Sequence, residues 1–184
     1  MKTRAWYIGL TLNVLLGLTL LGTGTWYFTR PATAETEVVR VPTAIATKPV
    51  PSAINKDEIY SFINEERANV GLTPYTTNPQ LESSACAKAQ YMQQNNYWNH
   101  IAPDGTTPWY FINQAGYTYS RAGENQAYGP YTSKGVVSAW LRSDSHRDAM
   151  LNSFTDAGIC VLTGVPFQEY KSTNIIVNHF GTSQ

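Results

Sequence analysis

A run of largely apolar residues from Ala5 to Phe28 constrains this chain more than any other feature in it. It covers about 24 residues, so as an α-helix it would extend about 36 Å, enough to cross a roughly 30 Å hydrocarbon core with some tilt. Trp6-Tyr7 and Trp26-Tyr27 stand at its two ends, where aromatic rings settle at a membrane–water boundary. Lys2 and Arg4 precede it, which holds the N-terminus in the cytoplasm and sends the remainder outside. Residues 1–28 are therefore expected to form a single-pass transmembrane anchor. The rival reading is a signal peptide, cleaved after the small-x-small stretch Ala32-Thr33-Ala34 to release a secreted product. The strongest apolar stretch ends near Leu21, well before that stretch, which favours the retained anchor.

Residues 29–52 contain Pro31, Pro42, Pro49 and Pro51 among Ala, Thr and Val, with neither helical nor alternating period. This is the composition of an extended linker. Residues 53–184 then make one mid-sized domain. The whole chain has 13 basic and 13 acidic residues, a formal net charge of zero, and its Lys and Arg are scattered. No basic stripe exists to follow a phosphate backbone, so no nucleic-acid partner is expected. Cys86 and Cys160 are the two cysteines. On an oxidising side of a membrane a bridge between them is expected, and closing so long a loop contributes about 4 kcal/mol if unstrained. Two buried free thiols are the alternative.

Within the domain, Asn55 followed by Glu58 resembles a capping box, and Ile59, Phe62 and Ile63 make an i, i+3, i+4 stripe that Gly71 ends. Asn78-Pro79 caps a second helix with Leu81, Ala85, Ala89 and Met92 inward, running out at Asn95-Asn96. Thr107-Pro108 opens a short helix to Ala115, Thr132 or Ser133 caps one bearing Val136, Val137, Trp140 and Leu141, and Ser143 begins another through Leu151. Strands are expected over 121–128, 158–163 and 173–180. Helices bracketing a few strands predict a layered α/β fold.

Three side chains could carry chemistry. His100 follows Tyr97-Trp98-Asn99 and precedes a Pro-Asp-Gly turn, with no local metal-ligand spacing to explain it. Glu124, in Ala-Gly-Glu-Asn-Gln-Ala-Tyr, falls in a strand near the core, where a carboxylate needs either solvent or partners. His146 lies one helical turn before Met150, on a face turned toward packed structure. Each taken singly reads as an ordinary capping or core residue.

Taken together, the segments NHIAPDG, AGENQAY, WLRSDSHRDAML, TDAGIC and NHFG occur in an order that resembles the CAP superfamily: cysteine-rich secretory proteins, antigen 5 and plant pathogenesis-related 1. The opening FINEERANVGLTPYTTNPQLESSACAKAQYM is similar to its bacterial single-domain branch, and the resemblance covers about residues 54–181. It implies an α-β-α sandwich with a cleft holding two histidines and one or two acids. His100 matches the first cleft histidine, Glu124 the acid of the Gly-Glu-Asn motif, and His146 the second histidine. Many eukaryotic members carry a further acid in a Trp-x-x-Glu pattern. Here Trp140 is followed by Leu141, Arg142 and Ser143, so that acid is missing. The pattern gives His179 no role.

If His100, Glu124 and His146 converge, two neutral imidazoles and a carboxylate could hold zinc weakly, with water in the remaining place. Without metal, Glu124 could hold an imidazolium, leaving histidine to act as acid or base near neutral pH. No serine or cysteine shows a nucleophile signature. The resemblance implies a binding module for a lipid, a cell-envelope component or a protein partner. The twelve tyrosines of the chain could line such a surface. A metal-assisted hydrolase using the same cleft and an inert surface spacer are the two alternatives.

Overall fold

The computed structural model describes residues 54–129 and 131–184; the expected anchor and linker lie outside them. Among the described residues nine elements follow in order: α1 (Lys56–Asn69), β1 (Thr76–Thr77), α2 (Pro79–Gln94), α3 (Pro108–Gln114), β2 (Tyr119–Gly129), α4 (Ser133–Arg142), α5 (Asp144–Met150), β3 (Asp156–Phe167) and β4 (Tyr170–Ser183). Among the described residues no helix is long and apolar enough to cross a membrane.

The helix starts follow the capping chemistry of the sequence. Asn55 accepts from the Asp57 amide, Asn78 from Gln80 and Leu81, and Thr132 from Gly135. Ser133, the other candidate cap, instead hydrogen-bonds the backbone of Asn55 and so joins α4 to the entry of α1. Thr107 makes no side-chain cap bond, and Pro108 alone opens α3. Gly71 ends α1 at φ 78°, with its N–H and that of Leu72 turned back onto the carbonyls of Ala68 and Arg67.

The sheet order is β1-β3-β4-β2, antiparallel except for the short parallel β1–β3 contact. The strands outrun their expected bounds. The strand expected over 158–163 runs on past Gly164 and Pro166 as β3, through register shifts between Leu162, Val165 and Phe167. The actual β3–β4 turn places Gln168 at φ 52°, and Asn96 at the end of α2 holds it by two hydrogen bonds, 2.7 and 2.9 Å.

Alternation along the strands builds the two faces. Cys160, Ile175 and Val177 pack with Ala85, Ala89 and Met92 of α2. Ile159, Ile176 and Phe180 point the other way, toward Ile59 and Ile63 of α1 and Val136, Val137 and Trp140 of α4. The arrangement is the expected α-β-α sandwich. The expected Cys86–Cys160 bridge is present, with Cα atoms 4.9 Å apart, and ties α2 to β3. Beside it a Cβ on Gly158 would stand 2.0 Å from the backbone carbon of Leu81, so helix and strand can approach this closely only at a glycine.

The Asn-x-x-Arg of α1 has a structural task. Asn64 accepts from the Tyr75 amide at 2.8 Å. Arg67, 1% exposed, donates to the carbonyls of Thr73, Met150, Asn152 and Phe154 and lies 3.6 Å over the Tyr75 ring. One guanidinium thereby fastens the end of α5 and the loop after it to α1.

Candidate functional site

Glu124 sits on β2, the terminal strand of the sheet, directly opposite His179 of β4. Its side chain is buried and both carboxylate oxygens are engaged. Oε2 lies 3.1 Å from Nε2 of His179; Oε1 accepts from Gln126 Nε2 at 2.9 Å and lies 2.6 Å from Nδ1 of His100. His179 is fully buried, and its other nitrogen lies 2.7 Å from the hydroxyl of Ser84 on α2. The cluster is therefore a chain, Ser84–His179–Glu124–His100, running from the interior to a half-exposed imidazole.

The charge of Glu124 is held there. Burial works to raise its pKa, but the hydrogen bonds from His100 and His179 and the positive charge of nearby Lys88 outweigh it. The carboxyl stays below its usual range and remains ionised at neutral pH. With Nδ1 of His100 turned to the carboxylate, its Nε2 is the nitrogen left for a ligand.

Lys88 secures the loop that carries His100. It is fully buried on the inner face of α2 and donates to Tyr97 Oη at 3.0 Å and to the carbonyls of His100 and Asn99 at 2.5 and 3.4 Å. Burial pulls its pKa down, opposed by the charges of Glu124 and Asp104. Neither Ser84 nor Lys88 was singled out from sequence. Both, however, fall on the stripe Leu81, Ser84, Ala85, Lys88, Ala89, Met92, and a polar residue at an inward helical position is a legible signal.

His146 is not part of the chain. Asn125, the residue after Glu124, points to the opposite face of the sheet and donates to the His146 carbonyl at 2.8 Å, which places α5 behind β2. The imidazole of His146 forms no hydrogen bond among the described residues. Burial and, after it, the charge of His100 lower its pKa. The expected second cleft histidine thus lies near His100, while the second histidine on Glu124, after His100, is His179, the one given no role.

Two cavities follow β2. One, about 300 Å³, is lined by His100, Ile101, Thr107, Pro108, Trp109 and Glu124. The next, about 290 Å³, has Trp98, Gln126, Tyr128, Tyr131, Trp140 and His146 among its walls. A third, about 500 Å³, lies apart along the disulfide between α2 and β3.

The expected zinc ligands do not fit together as arranged. His100 meets Glu124 through the Nδ1 that would have to face a shared ion, the other carboxylate oxygen is taken by His179, His146 opens into the neighbouring cavity, and among the described residues no three His, Cys, Asp or Glu side chains are placed to hold a metal.

Residues 60–172 match the cysteine-rich secretory protein, or CAP, family. Among curated proteins the chain is 36% identical over 132 residues to YkwD of Bacillus subtilis, covering 70% of this chain and 49% of that one. It is 28% identical over 108 residues to the B. subtilis membrane protein YlbC, covering 58% and 31%. It thus spans half or less of the length of these two relatives. Among solved structures, an outer surface protein of Borrelia burgdorferi superimposes with a TM-score of 0.62 at 27% identity, over 73% of this chain and all of that one. An SCP-domain protein of Bacillus anthracis gives 0.59 at 23% identity, over 69% and 40%, a likeness of fold. The sandwich, the Gly-Glu-Asn strand and the match over most of the described domain together make this chain a member of the CAP family.

Proposed function

We propose that the chain is a surface-held binding module, anchored through residues 1–28 with its CAP domain outside the cytoplasmic membrane, and that the cleft along β2 receives a cell-envelope component. The observation that carries this reading is the commitment of Glu124. A buried carboxylate clamped between His179, Gln126 and His100 is a fixed positioning group, and it aims one half-exposed imidazole into a cavity walled by Ile101, Pro108 and Trp109. Ile101 and Trp109 of that lining remain exposed, as apolar and aromatic contact surfaces do. The membrane protein YlbC and the borrelial outer surface protein among its relatives support the location. Secretion after cleavage near Ala34 is the alternative for the N-terminus.

A second reading draws on the same pair. A carboxylate 2.6 Å from a half-exposed histidine is also the arrangement of a general base acting on water. Co-sedimentation of the detergent-solubilised full-length chain with purified bacterial envelope fragments separates the two, with mass spectrometry of the supernatant for released products. Saturable binding, weakened about tenfold or more by His100→Ala and without products, is expected. Products that disappear with His100→Ala would make it a hydrolase, and neither binding nor products would leave an inert spacer.

A further inference from the structure

We propose that the cavity beside His146 is a subsite for a neutral pyranose ring of an envelope glycan. The inference rests on the binding-module reading and names the ligand class.

Four rings wall the cavity: Trp98, Tyr128, Tyr131 and Trp140. Trp98 and Tyr131 are 39% and 37% exposed, so part of each side chain is open to a ligand. Trp98 is also held. It meets Tyr128 edge-on at 4.7 Å, and Tyr128 is braced by Phe167 at 5.3 Å and Tyr170 at 6.1 Å. Rigid walls lose little freedom on binding. The electron-rich face of an indole or phenol attracts the polarised C–H bonds on the apolar face of a sugar ring.

Among the rings stand groups that hydrogen-bond hydroxyls: the oxygen of the Gln126 amide, whose NH2 is given to Glu124 and Asn99; Ser143; and the His146 imidazole, which has no hydrogen-bond partner among the described residues. The lining contains no Asp, Glu, Lys or Arg. Burial and the neighbouring charge of His100 disfavour a charged His146, so it offers one donor and one acceptor. Apolar faces, scattered neutral polar groups and no fixed charge describe a neutral sugar. An anion would find no cation here, and an acyl chain would cross the polar groups. At about 290 Å³ the volume is at the low end of small-ligand cavities, which run roughly 300–1,000 Å³.

The first cavity lies next to this one along β2. Gln126 and Tyr128, on the face of β2 that carries Glu124, line this cavity together with Ala127 of the opposite face, so it wraps the edge of the terminal strand, while Glu124 lines the His100 cavity. At about 3.3 Å per residue, Glu124 and Tyr128 stand about 13 Å apart, a span longer than one ring. A chain of sugars is therefore the fitting ligand, with Trp109 at its far end.

The test is titration of the detergent-solubilised full-length chain with chitotetraose, cellotetraose and N-acetylglucosamine. It is read by tryptophan fluorescence and by the ring-nitrogen NMR signals of His146. At least one tetramer is expected to bind saturably, more tightly than the monosaccharide, and to shift the His146 signals. Trp98→Ala and Tyr131→Ala, checked for folding by circular dichroism, should each weaken it about tenfold or more, while Trp98→Phe and Tyr131→Phe retain most of it. No saturable binding of either tetramer up to about 10 mM, or binding that folded Trp98→Ala and Tyr131→Ala variants retain unchanged, overturns the inference. If envelope fragments still co-sediment in that case, the binding-module reading stands without the glycan; if they do not, both fall.

Discussion

Arg67 and Glu124 are both buried charges, and the domain solvates them in opposite ways. Arg67 is surrounded by four backbone carbonyls and the face of Tyr75. None of those carbonyls titrates, and the guanidinium stays protonated at any ordinary pH. Glu124 is held by His100, His179 and Gln126, with Lys88 near, and the hydrogen-bond chain through it reaches a half-exposed ring. The first arrangement is closed and serves the fold. The second is responsive to pH and ends at a cavity. A buried charge thus points to a site only when its partners are themselves side chains with chemistry and one of them meets solvent.

The contrast is most exposed at Arg67. Arg67→Ala leaves four carbonyls without their donor and a cavity under Tyr75, so a loss of about 3–5 kcal/mol in unfolding free energy is expected. Urea titration of the full-length chain measures it. A loss under about 1 kcal/mol would mean that water reaches those carbonyls, since a solvated acceptor loses little.

Glu124→Gln is expected to cost less, about 1–3 kcal/mol, because an amide retains the shape and part of the hydrogen bonding. Its signature is in the pH dependence. The folded pKa of Glu124 lies below its ordinary 4.5, so in acid the unfolded chain binds more protons there. Its contribution is complete above that value and disappears as pH falls below it. His146, also lowered, adds a loss that begins as pH falls through 6.5, where the unfolded histidine takes up its proton, and is complete below the lowered folded value. Acid unfolding profiles should therefore show Glu124→Gln removing the lower component and keeping the upper one. Identical profiles for variant and parent would show that the carboxylate is not the acid-sensitive group.

The weakest response is expected with zinc. Because no three ligands meet among the described residues, calorimetric titration at pH 7 should give the parent, His100→Ala and His146→Ala the same heat. Heat present only in the parent would show that the cluster rearranges to accept the ion, and the contrast between a closed charge and a responsive one would then extend to metals.

Local rules carried far in this chain because helix caps and inward stripes depend on neighbours in sequence. Asn55, Asn78 and Thr132 act as caps, and Ile59, Leu81, Val136 and Trp140 face the core, where periodicity placed them. The disulfide was open to expectation because a bridge follows from compartment and count. The strand ends were not, since Gly164 and Pro166 are turn residues locally and only pairing with β4 carries β3 past them.

The ingredients of the site were legible along the chain: a histidine in the loop after α2, a Gly-Glu-Asn strand, a histidine in α5, and an order of motifs marking the CAP fold. Which of them touch was settled only in the assembled sheet. Register sets Glu124 opposite His179 rather than its neighbours, and the alternation of β2 sends Asn125, not Glu124, toward α5 and His146. A shift of one residue would exchange those faces. Register depends on packing between distant segments, for which short-range sequence pattern has no signal, so His179 acquires its role only when β4 pairs with β2.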